Sequence, residues 1–211
     1  MRKVQVGMYK EELPADLQRY AEAALGLGAS RAVVVPVSDI PVDDRITLKC
    51  RIPRCFGYGV GANCPPHTLT PTELRTQLEG FEWSVLVTVD VPPPIIIRDR
   101  ETIVERVAAY QSVYEIVAAV ESLAFYDGHY LAFGLSAGSC RHTFCGQQKD
   151  CSALLGQKCR FALKSRPSME AVGIDVYKMI AQLGWDIYPA GSCVTAEELP
   201  SGVLCGIVIV Q

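Results

Sequence analysis

Seven of the nine cysteines in this chain fall into two tight groups. Cys50, Cys55 and Cys64 form the first, which runs from Cys-Arg-Ile-Pro-Arg-Cys through a Gly-rich stretch to Cys64-Pro65-Pro66. Cys140, Cys145, Cys151 and Cys159 form the second, entered through Gly138-Ser139 and left at Arg160. Thiols crowded in this way serve a disulfide framework, a zinc site or an iron–sulfur cluster.

Bulk properties weigh against the first of these. With 211 residues, 49% hydrophobic and 20% charged, the chain has ordinary globular composition and can bury a substantial core. Disulfide-dense scaffolds are small secreted chains that lack such a core, and an odd number of cysteines pairs poorly. Met1 to Lys10 holds no apolar stretch resembling a signal peptide. No run approaches the roughly 20 apolar residues that span a bilayer. These features predict a soluble cytoplasmic protein whose thiols stay reduced and hold metal.

The net charge of −3 offers no electrostatic grip on nucleic acid, so neither nucleic acid nor a membrane is an expected partner. Basic residues still gather locally: Lys49, Arg51 and Arg54 in the first group, and Arg141, Lys149, Lys158, Arg160, Lys164 and Arg166 around the second. Cations beside thiolates lower their pKa and offset the charge of an anionic cluster. A solvated loop surface would have the same composition.

Leu13, Leu17, Tyr20, Ala21, Ala24 and Leu25 recur at helical spacing, with Gly26 and Gly28 closing the helix. Ala32 to Val37 is a β-branched strand, and residues 38–67 form an irregular loop carrying the first cysteines. Thr70-Pro71-Thr72-Glu73 supplies a capping box with proline at the first helical position, so a helix runs to about Glu79. Trp83 to Val91 is a second strand, and a long amphipathic helix from about Arg100 ends at Asp127-Gly128. A strand from His129 to Leu135 feeds the second cysteine loop, residues 138–167. Met169 to Leu183 spaces as a helix, and strands at Asp186 to Pro189 and Val203 to Val210 finish the chain. The pattern predicts a single α/β or α+β domain over residues 1–211, a mixed sheet flanked by helices with two metal-binding loops.

Cys140, Cys145, Cys151 and Cys159 are separated by four, five and seven residues, and the chain contains no Cys-x-x-Cys. Structural zinc usually takes such knuckles, because a tight turn puts two sulfurs on one tetrahedral edge. A [4Fe–4S] cube is larger and tolerates wider spacings, so four thiolates here favour a cluster, with zinc the alternative. The first group supplies three thiolates, followed by the Cys-Pro step that also ends ferredoxin cluster runs. Its fourth ligand is His67, Cys193 or Cys205, or is missing. A missing ligand would leave one metal position open to substrate, whereas a closed structural site or packed reduced thiols needs no such opening.

Cys205 sits in an apolar strand, where an inert buried thiol is the default. His129 and His142 are lone histidines. Glu170 and Asp175 fall where negative charge favours a helix amino end. Gly57-Tyr58-Gly59-Val60-Gly61 neither follows a clear strand nor opens a helix, which excludes a nucleotide loop.

Three stretches carry a family resemblance. They are Asp39 to Arg45 with Lys49 to Gly59 and Asn63 to His67; Gly138-Ser139-Cys140 through Cys159-Arg160; and Arg166 to Val176. Together they resemble the cysteine-rich predicted metal-binding proteins catalogued as domain of unknown function two-two-eight-four. The resemblance implies metal binding, iron–sulfur in kind, and attaches no reaction. Many members open the second motif with a tighter Cys-x-x-Cys; here His142, Thr143 and Phe144 spread that interval.

The expectation is therefore a [4Fe–4S] cluster on Cys140, Cys145, Cys151 and Cys159, and a second metal site at Cys50, Cys55 and Cys64. The expected role is electron transfer with a redox partner protein. The competing readings are an enzyme that binds substrate at the three-cysteine cluster and a structural zinc module.

Overall fold

Val85, Leu86 and Val87 are all fully buried, although successive strand residues point to opposite faces. Such a strand needs cover on both sides, and this one has it. The computed structural model describes residues 15–97, 100–190 and 194–210. Within them lie four strands, β1 (Arg31–Pro36), β2 (Trp83–Val91), β3 (Phe133–Leu135) and β4 (Gly202–Ile209). The helices are α1 (Ala15–Gly26), α2 (Asp44–Arg51), α3 (Pro71–Leu78), α4 (Pro93–Ile97), α5 (Ile103–Asp127), α6 (Cys140–Phe144) and α7 (Val176–Gln182).

The strands form one sheet in the order β1-β2-β4-β3, antiparallel throughout. The expected single sheet flanked by helices is present. Its central register pairs Leu86 with Ile207, and Ile207 with Leu135. Val85, Val87 and Val208 face Leu17, Tyr20 and Ala24 of α1 and Val113, Val117 and Val120 of α5. Leu86, Ile207 and Ile209 face Leu74 and Leu78 of α3 and Met179 and Ile180 of α7. This alternation divides the apolar core into two layers, one on each side of the sheet.

α5 lies close against the sheet because two strand positions lack a side chain. A Cβ on Gly134 would come 2.4 Å from Val117, and one on Gly206 would come 2.5 Å from the same residue. α5 then ends where Gly128 takes a left-handed φ of 111°, a conformation that glycine adopts without penalty. The capping box at α3 is formed: Thr70 accepts from the Glu73 N–H, and Glu73 accepts from the Thr70 N–H at 2.7 Å.

Several expectations need correction. The loop expected over residues 38–67 contains α2, started by Asp43 accepting from the Arg45 N–H at 2.8 Å. α2 buries none of its residues, so it lacks the apolar periodicity that would reveal it. The helix expected over Met169 to Leu183 is broken. Residues 170–172 make a 3-10 turn, Gly173 has φ 97° against Pro71, and α7 begins only at Val176. Residues 186–189 are not a strand. No described helix is long and apolar enough to cross a membrane.

Candidate metal centre

β3 delivers the chain to the second cysteine group. Ser136 forms a parallel bridge with Ser168, and Gly138 turns at φ 66°. A Cβ on Gly138 would lie 2.6 Å from the Tyr110 ring of α5, so the path into Cys140 requires glycine twice over. α6 occupies the interval between Cys140 and Cys145. It places Phe144 edge-on to Tyr114 of α5 at 5.1 Å and stacked on Phe161 at 5.2 Å. The long Cys140–Cys145 spacing is thus a helical turn that anchors the loop to α5 through an aromatic column.

The nearby basic residues that can be traced have structural work to do. The Arg141 guanidinium donates to the carbonyls of Cys145, Gln148 and Lys149. Arg160 donates to the Asp150 carbonyl at 3.1 Å. Arg166 makes a two-pronged bond to Glu121, and Glu121 also accepts from the Gly134 N–H at 2.6 Å. Lys164 pairs with Glu115. The last three interactions moor the loop to α5 and β3.

Cys140, Cys145, Cys151 and Cys159 all line one cavity of about 230 Å³, shared with Ala62, Asn63, Phe144 and Phe161. Burial would raise the Cys151 thiol, but N–H groups of Ala62, Leu154 and Ala153 and the charge of Arg141 more than offset it and hold its pKa low. Burial pushes Cys140 up to about 11, moderated by hydrogen bonds from Ser165 and Asn63. Cys145 is also raised, chiefly by burial.

In the first group, Cys50 closes the last turn of α2 and its carbonyl accepts the Cys55 N–H at 3.0 Å. The Gly59 N–H reaches the Pro65 carbonyl at 2.8 Å and the Cys64 N–H reaches the Gly61 carbonyl, folding the Gly-rich stretch back on itself. The Gly57 N–H donates to Cys55 Sγ at 3.4 Å. Cys50, Cys55 and Cys64 line a second cavity of about 660 Å³. Burial pushes Cys50 up to about 11 and also raises Cys64.

The two groups, separate in sequence, abut in space. Cys64 Sγ lies 3.4 Å from Ser139 Oγ, and Asn63 donates to Cys140 Sγ at 3.6 Å and to Ser165 at 2.7 Å. A Cβ on Gly61 would lie 3.2 Å from Arg141 Cβ, so the loops meet backbone against side chain. Tyr114, fully buried, carries a hydroxyl that has no hydrogen-bond partner among the described residues. Burial and the nearby Cys140, Cys64 and Glu170 all disfavour its ionised form.

Residues 167–175 tie both loops down. The Ser136 N–H donates to Pro167, Met169 donates back to Ser136, Asp43 donates to Gly173, and Asp175 donates to Pro41. Asp175 caps α7 by accepting from the Lys178 N–H at 3.0 Å, as its position before a helix suggested. Glu170 does something else: it lines the 660 Å³ cavity beside the three cysteines. Its side chain is exposed to solvent there.

A family model described as predicted metal-binding protein (DUF2284) matches residues 33–204. The chain belongs to that family. No curated protein and no solved structure gives a significant match. The DUF2284 match spans both cysteine loops and the clamp at residues 167–175, and its description specifies no particular metal.

The residues present fit the metal that family membership implies. Four soft thiol donors around one cavity suit iron–sulfur or zinc over hard cations. Among the described residues, no three Cys, His, Asp or Glu side chains stand close enough to hold a single ion as they are. Of the candidate fourth ligands, His67 is exposed and does not line the second cavity. Cys193 lies outside the described residues. Cys205, which its strand position suggested was inert, is buried but lines that cavity, and burial raises its thiol strongly. His142 packs edge-on to Phe56 at 4.5 Å, and His129 lies in the core against Tyr20. Asn63, Ser139, Tyr114 and Glu170 were missed as site residues. The first two immediately precede a clustered cysteine, a signal available in the sequence. Tyr114 and Glu170 have none short of the fold.

Proposed function

We propose that the chain is an iron–sulfur protein with a redox role, holding a [4Fe–4S] cluster on Cys140, Cys145, Cys151 and Cys159. The observation that carries this reading is the shared cavity of about 230 Å³ lined by all four thiols. One water needs roughly 10–15 Å³ of such space, so the cavity is far larger than a single ion requires. The N–H groups aimed at Cys151 and the Asn63 amide at Cys140 are the hydrogen bonds that tune a cluster's potential. When bound, the cluster would supply one-electron chemistry. The chain's own residues position the thiols, neutralise their charge and shield them. Cys50, Cys55 and Cys64 would carry a second site next to the first, and a redox protein would exchange electrons with the pair.

Anaerobic purification tests this directly. Iron and acid-labile sulfide in comparable amounts, with brown absorbance, are expected. Stoichiometric zinc in a colourless protein would replace the reading with a structural zinc module.

A second reading, an enzyme whose three-cysteine site binds substrate, has one observation in its favour. Those three thiols open onto a cavity of about 660 Å³, within the size range of small-molecule sites.

A further inference from the structure

Tyr114 carries a polar group where phenylalanine would fill the same space. Its side chain is fully buried on α5, and its hydroxyl has no hydrogen-bond partner among the described residues. The ring packs without help from that hydroxyl: it meets Phe144 edge-on at 5.1 Å, and Phe144 stacks on Phe161. A phenol oxygen taken out of water and left unbonded destabilises a fold. The position therefore calls for an acceptor that the described residues do not supply.

The surroundings say what that acceptor is. One face of α5 follows the chain on either side of Cys140. Tyr110 packs against Gly138, where a Cβ would lie 2.6 Å from its ring, and Gln111 donates to the Thr143 carbonyl at 3.4 Å. Tyr114, one turn beyond Tyr110, meets Phe144, which lines the cavity of the four thiols. Cys64 arrives at the same place from the other loop, its sulfur 3.4 Å from Ser139 Oγ. The Tyr114 hydroxyl lies near both Cys140 and Cys64. Two polar side chains already meet these sulfurs, Asn63 at Cys140 and Ser139 at Cys64, and both belong to the cysteine loops. Among the described residues, the thiols do not stand close enough to hold an ion as they are, so loading moves the sulfurs. A thiolate on metal keeps negative charge and accepts well from a hydroxyl.

We propose that Tyr114 is a positioning residue of the metal centre, its hydroxyl donating to a metal-bound sulfur where Cys140 and Cys64 adjoin. The inference rests on the reading that these thiols ligate metal, and it deepens that reading. Through this bond the centre is fixed to α5, and so to the sheet, as well as to its own loops. It applies to a cluster and to zinc alike.

The test is Tyr114→Phe in the full chain, purified anaerobically beside wild type. The aromatic column remains, so the variant should fold. With iron and sulfide bound, its equilibrium constant for one-electron reduction should fall about tenfold, a drop of ~59 mV, because the lost donor favoured the more negative reduced state. With zinc bound, competition against a chelator should show binding weakened about tenfold. Tyr126→Phe, exposed in the last turn of α5, is the control and should change neither reading. Metal-bearing Tyr114→Phe with wild-type potential or affinity would overturn the inference and leave the metal reading intact. An equal change in Tyr126→Phe would overturn it too, as would a Tyr114→Phe chain that does not fold, since the hydroxyl would then serve the fold itself. Wild-type protein that takes up no metal would overturn the metal reading and this inference with it.

Discussion

At Cys140 the sulfur's surroundings come from two loops at once. Its own loop supplies Ser165, and the other supplies the Asn63 amide at 3.6 Å. Asn63→Leu keeps a side chain of similar size and removes both the donor to sulfur and the bond to Ser165. Hydrogen bonds to cluster sulfurs favour the more negatively charged reduced state, so the variant's reduction potential should fall. A differential of on the order of 1 kcal/mol corresponds to a shift on the order of 50 mV for one electron. Anaerobic redox titration of the variant beside wild type reads that shift; an unchanged potential would show that Asn63 only supports the loop. The raised thiols carry a further implication. Metal binds them as thiolates, so loading releases protons and weakens as pH falls.

The element scale is governed by how closely α5 approaches the sheet. Gly206→Ala would press a methyl to 2.5 Å from Val117 and 3.2 Å from the Leu135 carbonyl. Overpacking of this kind costs about 1–3 kcal/mol. Thermal unfolding should therefore lower Tm by several degrees, at roughly 2–4 °C per kcal/mol for a chain of this size. Gly26→Ala is the control, because its Cβ meets nothing within 4 Å at the end of α1. Equal melting of the two variants would refute close packing as the reason for glycine. The same scale shows what could be read in the sequence. Thr70 to Glu73 announced α3 because a capping box is a local bond between residues three apart. α2 escaped notice because Leu48 is exposed and no residue of the helix faces a core. Residues 170–176 imitated a helix because their apolar positions pack on one side, although Gly173 reverses the chain among them.

Across the molecule, scaffold and centre are separable. Neither core layer contains any of the seven clustered cysteines, although Cys205 belongs to one. Stripping the metal with a chelator under anaerobic conditions should leave β2 and β4 amides protected from hydrogen exchange. Residues 44–67 and 138–167 should lose their protection. Loss of protection across the sheet would mean instead that metal holds the whole fold. The cysteine grouping made the metal reading legible from sequence. That the groups form one neighbourhood was not, because it depends on Ser136 meeting Pro167 and Ser168, and on Pro41 and Asp43 meeting Asp175 and Gly173. Those contacts span long stretches of chain and leave no local spacing to detect.

The sheet order β1-β2-β4-β3 has a consequence for biosynthesis. β4 joins β2 to β3, and it follows both cysteine loops in the chain. As the polypeptide leaves the ribosome, all seven clustered thiols emerge before the strand that joins β3 to β2. β3, which leads into the second loop, gains its partner in the sheet only once β4 has been made.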